Sequence, residues 1–344
     1  MKVAVGAGSE TWATEAERLG VDVLTSSEAW GTDAFTPLAY LAGKTSRVKL
    51  LTAIAQAGTR TPAALAMHAL GLASISNDRF ILGLGTSGPQ VIEGWHGVTF
   101  KNAVTRLREI VEIVRLVTSG ERVEYKGKVY ELPLPGGEGR ALRSSARPRK
   151  IPIYLATLGP RSLEMTGEIA DGWIASSFMA EHAHVFIDRI RAGAERAGRS
   201  LDEIERQAGG VVEFTDDLDA AIQKRKPGFA FEIGAMGSPE HNFYKEAYAR
   251  QGYGDLVNEV QRLWLERKRD EAAALIPDEF VIKSNLLGTE VMVRDRIRAY
   301  RDNGITTLSV GTQGTTMQER LDNLGRFMDL IKAVNAEEER GTVQ

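Results

Sequence analysis

Short, continuously apolar runs alternate with longer amphipathic or Ala/Leu-rich stretches along most of the chain. Residues 3–7 read as strand one, and Ser9 caps a helix that reaches about residue 19 and closes on Gly20. Residues 21–25 form strand two and 33–44 the second helix. Strand three spans 48–54, and Pro62 suits the first turn of a third helix that reaches 75. Strand four spans 79–84 and precedes a helix over 103–118. Strands five to eight follow at 151–156, 172–176, 207–214 and 306–310. Their helices are opened by Gly159-Pro160, or cover 181–197, 289–302 (with Gly304 as its closing glycine) and 317–334, before a polar tail. Buried runs alternating with helices place the chain in the α/β class. Eight of them predict a parallel (β/α)8 TIM barrel rather than an open sheet.

Two stretches break this rhythm. The run Val123-Glu-Tyr-Lys-Gly-Lys-Val-Tyr-Glu-Leu132 alternates around a Lys-Gly turn and reads as a β-hairpin. Residues 133–150, rich in Pro, Gly and Arg, extend it as an exposed excursion. Residues 216–278 look helical, with breaks at Pro227, Gly228, Gly237, Pro239 and Gly252. A barrel takes about 250 residues, so the surplus of this chain of 344 residues goes into insertions near 119–150 and 216–278 of one domain over 1–344.

Composition narrows the function. Lys and Arg number 43 against 46 Asp and Glu, so no nucleic-acid or anionic-membrane partner is expected. With 0 cysteines, disulfides, thiolate metal sites and cysteine nucleophiles are excluded. His182 and His184 stand at i, i+2 and share no helix face, no HExxH occurs, and no metal site is expected. Lys2-Val-Ala-Val-Gly carries no signal-peptide core, and no apolar run approaches about 18 residues. The expectation is a soluble, cytoplasmic protein acting on a small molecule.

The most suggestive stretch is Arg79-Phe-Ile-Leu-Gly-Leu-Gly-Thr-Ser-Gly-Pro-Gln-Val-Ile-Glu-Gly-Trp-His-Gly97. Gly83, Gly85 and Gly88 have the GxGxxG spacing of a dinucleotide fingerprint. Three strand-like runs precede it, no helix follows directly, and the acidic residue about 20 positions on, Glu109, falls inside a helix. It therefore reads as a ligand-facing loop after strand four. Barrel active sites lie at the C-terminal strand ends, which gathers residues 26–30, 53–56, 85–88, 156–159 and 176–178 around one mouth. Pro160 at a first helical position leaves the amides of Arg161 and Ser162 free, and with the Thr86 and Ser87 hydroxyls they make a phosphate site. The plain alternative is a well-capped helix without a ligand. Glu28 is the mouth carboxylate. It reads either as an acid whose pKa a dry site would raise, or as a cap for the second helix or a partner for an arginine such as Arg60. Trp30, Trp95 and His96 read as a wall for a flat ring or as loop packing. Leu65, Met67, Leu70, Leu72 and Ile75 do not fit one stripe of the third helix, which predicts a homodimer burying helices two and three.

The segments Glu28-Ala-Trp-Gly-Thr-Asp-Ala, Arg60-Thr-Pro-Ala-Ala, the strand-four stretch, Leu132-Pro-Leu-Pro-Gly-Gly, Ile151-Pro-Ile-Tyr-Leu-Ala and Gly167-Glu-Ile-Ala-Asp-Gly-Trp together resemble the luciferase-like family. Within it they resemble the actinobacterial coenzyme F420-dependent oxidoreductases, near methylenetetrahydromethanopterin reductase. The resemblance spans almost the whole chain and is weakest over 216–278. It implies a dimeric barrel holding the deazaflavin F420, or alternatively FMN, at its mouth. It further implies a non-proline cis peptide at Ala53-Ile54 behind the ring. Cofactor contacts then fall on Ser27, Ala53, Ile54, Gly85, Thr86, Ser87, Thr157, Leu158, Gly159, Arg161 and Ser162. F420-dependent sugar-phosphate dehydrogenases of this family carry Asp-His after strand two and Glu after the strand-four glycines. This chain has Ser27-Glu28 and Gly88 there, so sugar-phosphate oxidation is not expected, and proton transfer would move to Glu28. The competing readings are an FMN monooxygenase and a catalytically silent flavin-binding barrel.

Overall fold

The computed structural model describes residues 1–237 and 242–341, so the expected break at Pro239 lies outside the described residues. Eight parallel strands close into a ring: β1 Lys2–Gly6, β2 Val23–Ser26, β3 Lys49–Thr52, β4 Phe80–Gly85, β5 Ile153–Ala156, β6 Gly172–Ile174, β7 Glu205–Phe214 and β8 Thr307–Thr312. The register carries around it, from Gly6 beside Thr25 and Leu51 beside Ile81 to Gly85 beside Ala156. Glu205 beside Gly172, Gln207 beside Thr307 and Lys2 beside Thr307 complete the circle. Around it lie α1 Glu10–Leu19, α2 Phe35–Ala42, α3 Pro62–Ile75, α4 Ala103–Ser119, α5 Pro160–Ile169, α6 His184–Arg196, α7 Glu290–Asp302 and α8 Met317–Gly341.

Local chemistry sets the helix ends, with the Ser9 cap, the Gly20 stop and Pro62 in the first turn of α3 as expected and the Thr61 cap added. Ser9 Oγ accepts the Trp12 amide at 3.3 Å, Gly20 closes α1 at φ 102°, and Thr61 caps α3 ahead of Pro62. Alternation along each strand separates two apolar layers. Val3, Leu24, Leu50, Phe80, Ile153 and Trp173 face the helices. Ala4, Val23, Leu51 and Ile81, with Tyr154 and Ile174, pack inside the ring as a floor beneath the mouth.

Four details differ from expectation. Strand three does not run through 54. The Ala53-Ile54 peptide is cis, pairing resumes only at Ala55–Gln56, and Thr52 Oγ1 bonds both the amide and the carbonyl of Gly83 at 2.8 and 2.9 Å. A Cβ on Gly83 would lie 1.8 Å from the Thr52 carbonyl oxygen, so only glycine admits this approach of β3 and β4. The loop after β4 contains one helical turn, Pro89–Ile92. Pro227 opens a helix, Lys226–Ala235, rather than breaking one. A short strand, Leu286–Gly288, extends the pairing of β7. The hairpin over 123–132 is present as Tyr125–Lys126 against Glu131–Leu132. Its turn is held by Glu109, whose carboxylate accepts the amides of Lys128, Val129 and Tyr130 at 2.7–2.9 Å.

The second insertion folds as short helices around its own apolar cluster, which includes Ile222, Ile233, Tyr248, Val260 and Phe280. Of the α3 residues that fit no single stripe, Leu65, Leu70 and Leu72 are covered within the chain, while Met67 and Ile75 stay 69% and 57% exposed. No helix among the described residues is long and apolar enough to cross a membrane.

Candidate active site

The loops after β2 and β3 meet over one carboxylate. Glu28, its side chain 7% exposed, takes Arg60 through both oxygens at 2.6 and 2.9 Å. It also accepts the amide of Gln56 at 2.8 Å and that of Ala34, at the entrance to α2, at 3.1 Å. Burial pushes its pKa up. The Arg60 hydrogen bonds and the two amides outweigh that, and the carboxyl sits below its ordinary value. The expectation of a raised pKa is therefore corrected. A carboxylate with its lone pairs taken by an arginine and two amides clamps the loops after β2 and β3 together. The arginine pairing, the plain alternative for this residue, is the arrangement found.

Gln56 extends the clamp. Its amide nitrogen donates to the Ala29 carbonyl at 3.1 Å and to Ser87 Oγ at 3.4 Å, and its oxygen lies 2.9 Å from His96 Nε2. Glu28, Trp30, Gln56, Arg60, Trp95 and His96 thus line a cavity of about 230 Å³ at the rim. Trp30 and Trp95 do wall one space, with both indoles exposed on it. Ser27 is exposed beside this cleft.

The inward positions at the C-terminal strand ends are small: Gly6, Ala53, Gly85 and Ala156. A Cβ at Gly6 would meet no heavy atom within 4 Å, so the mouth is open above the apolar floor. Ile54 packs behind Gly85, where a Cβ would stand 2.9 Å from Ile54 Cδ1. Thr86 and Ser87 follow, half-buried, with Ser87 at φ 56°.

Past the neighbouring strand β5, α5 starts at Gly159 without a side-chain cap, and Pro160 occupies its first turn. The amides of Arg161 and Ser162 form its positive end, while Ser162 Oγ is taken by the Gly159 carbonyl at 2.9 Å. Arg250, from the second insertion, donates to the Leu158 carbonyl at 2.7 Å and sets a cation beside that end. The Arg161 side chain is exposed nearby. Thr157 departs from expectation. Its hydroxyl lies 2.7 Å from Thr166 Oγ1 and its carbonyl accepts Trp173 Nε1 at 2.9 Å, so its side chain packs beneath the helix and is not turned to a ligand.

Past β6, Ser177 adopts φ 50° and is gripped by Gln251, which donates to its carbonyl at 2.7 Å and accepts the Met179 amide at 2.9 Å. The Ser177 hydroxyl donates to Glu232, on the helix Lys226–Ala235. Sequence reasoning passed over Gln56, Arg250 and Glu232. For Glu232 the signal was there: a lone carboxylate inside Phe229-Ala-Phe-Glu-Ile-Gly-Ala235.

A parallel barrel with an open, small-residue mouth, flanked by hydroxyls and an uncapped cationic helix end, is a barrel enzyme with its chemistry at the strand C-termini. The family model described as luciferase-like monooxygenase matches residues 8–307, and the chain belongs to that family. It is 40% identical over 314 residues, 89% of this chain and 90% of the relative, to a Mycobacterium tuberculosis protein named as a coenzyme F420-dependent oxidoreductase. It is 26% identical over 320 residues, 92% and 93% of the two chains, to 5,10-methylenetetrahydromethanopterin reductase of Methanolobus tindarius. The coenzyme F420-dependent tetrahydromethanopterin reductase structure from Methanopyrus kandleri superposes with a TM-score of 0.76 at 24% identity, covering 94% of this chain and 97% of that one. It shares the fold.

Proposed function

We propose that this protein is an oxidoreductase that exchanges a hydride between coenzyme F420 and a small organic substrate. The observation that carries the reading is the electropositive start of α5. Two free amides and Arg250 stand past the end of β5, the neighbour of β4 from which Thr86 and Ser87 follow, and such a set suits one phosphate. The relative's name selects the deazaflavin over FMN. Thr86, Ser87, the amides of Gly159, Arg161 and Ser162, and Arg250 would hold the phosphate end. Ala53, Ile54, Gly85 and Leu158 would border the ring, with Ser27 at its edge. When bound, the deazaflavin supplies or accepts the hydride at its central ring. The protein's own part is to orient substrate, exclude water and handle one proton.

Titration with F420 and with FMN tests this, and F420 is expected to bind far more tightly. Replacing Thr86 and Ser87 together by alanine removes two hydrogen bonds to a charged group, each worth about 1.5–3 kcal/mol. Affinity for F420 is expected to fall well beyond tenfold, and an unchanged dissociation constant would place the phosphate elsewhere.

The same reading includes a homodimer through α2 and α3. Tyr40, at 56% exposure, joins Met67 and Ile75 as apolar surface on these adjacent helices. Light scattering at micromolar concentration is expected to give the mass of two chains, and Met67→Glu the mass of one. A wild-type monomer refutes it.

A further inference from the structure

Deeply set carboxylates in this protein are held by several donors. Glu28 has Arg60 and two amides, and Glu109 has three amides. Glu205 has Lys2, Thr306 and Thr307, and Glu213 has Lys224 and Arg225. Glu232 breaks this pattern. Among the described residues it has one donor, the hydroxyl of Ser177, and no cation pairs with it. It stands half-buried on the helix Lys226–Ala235, with the phenols of Tyr244 and Tyr248 as its titratable neighbours among the described residues. Burial holds its carboxyl above the ordinary value, and the Ser177 hydroxyl pulls the other way more weakly.

Its position suits chemistry. Ser177 lies three residues past β6, on the mouth side of the ring. The left-handed turn at Ser177 is locked by Gln251, so the hydroxyl is presented to Glu232 by fixed backbone. A carboxyl that only tied the insertion down would have its oxygens filled, as the other four do. From this contrast, and resting on the hydride-transfer reading above, we infer that Glu232, oriented by Ser177, is the proton donor that completes reduction of the substrate.

The step balances as follows. Glu232 loses the proton of its O–H bond to the substrate atom adjoining the carbon that receives the hydride. A bound reduced deazaflavin would supply that hydride with its electron pair and release its ring N–H proton to solvent, so that it is oxidised as the substrate's double bond is reduced. The Glu232 carboxylate then regains a proton from water. A general acid must carry its proton when the substrate arrives, and burial favours the neutral form of this carboxyl.

The test has one readout independent of turnover. At pH 7 the infrared spectrum of the wild-type protein is expected to show the carbonyl stretch of a protonated carboxyl, absent in Glu232→Gln and shifted in Ser177→Ala. A wild-type spectrum without that band, or a band that survives E232Q, overturns the inference. If E232Q does not fold, S177A decides, because a band it leaves unmoved belongs to another group. With reduced F420 and cyclohexenone as the probe, E232Q is expected to lower turnover by about 10²–10⁴ while the F420 dissociation constant holds. Equal turnover in E232Q overturns the role as donor. If the wild type fails to bind F420, the hydride reading falls on that result, and the infrared band still shows whether Glu232 carries a proton.

Discussion

Arg79→Ala is expected to cost about 4 kcal/mol of stability and lower the melting temperature by roughly 5–6 °C. The residue is 7% exposed and, among the described residues, has no carboxylate partner. Its guanidinium instead reaches the carbonyls of Ala42 and Thr45, just past α2, at 2.8 and 2.9 Å. It also reaches Ser76, at the end of α3, at 2.8 Å. Bonds to the Val48 carbonyl at 2.8 Å and to Thr45 Oγ1 at 2.9 Å complete the set. One cation thus satisfies the orphan carbonyls of two helix ends and the entry to β3. Truncation leaves these acceptors buried without a donor, each at about 1–3 kcal/mol, partly offset as water fills the space. Thermal unfolding of the variant measures it. A loss under about 1 kcal/mol would show that the neighbouring loops close over the gap.

Glu28→Gln is expected to lower stability by about 2–3 kcal/mol, because an arginine and two amides lose their common acceptor, with Arg60 partly rescued by solvent. Turnover per folded molecule is expected to stay within about tenfold, well short of the loss that follows removal of a general acid. The pH dependence has a definite sign. The folded carboxyl lies below its ordinary value of 4.5, so its contribution is fully present above pH 4.5 and is lost as pH falls through the folded value. Stability curves of the two proteins should therefore converge on acidification below pH 4.5. A constant gap across that range would assign the loss to packing rather than to charge.

The barrel was legible because its strands are buried on both faces and read as continuous apolar runs, bounded by Gly, Ser and Pro. Helix starts such as the Ser9 cap and Pro62 in a first turn were legible because they act within four residues. What was missed depends on distance along the chain. Glu28 finds Arg60 32 residues on and Gln56 28 residues on, so its charge state follows from a meeting of loops that no local pattern announces. The hydroxyl of Thr157 is spent on Thr166 one helix turn into α5. The strand Leu286–Gly288 is three residues long, too short for period-two alternation to register, and exists because β7 continues past its other neighbours. The cis bond at Ala53-Ile54 has no local signature either, and the family resemblance located it.

The apolar cluster of the second insertion is packed mainly on itself, with Gln251 on Ser177 and Met179, Glu232 on Ser177 and Arg250 on Leu158 among its fastenings to the mouth. A unit that draws its stability from its own contacts opens at less free energy than global unfolding. The polar fastenings, rather than the ladders of the barrel, therefore govern the local stability of this side of the mouth.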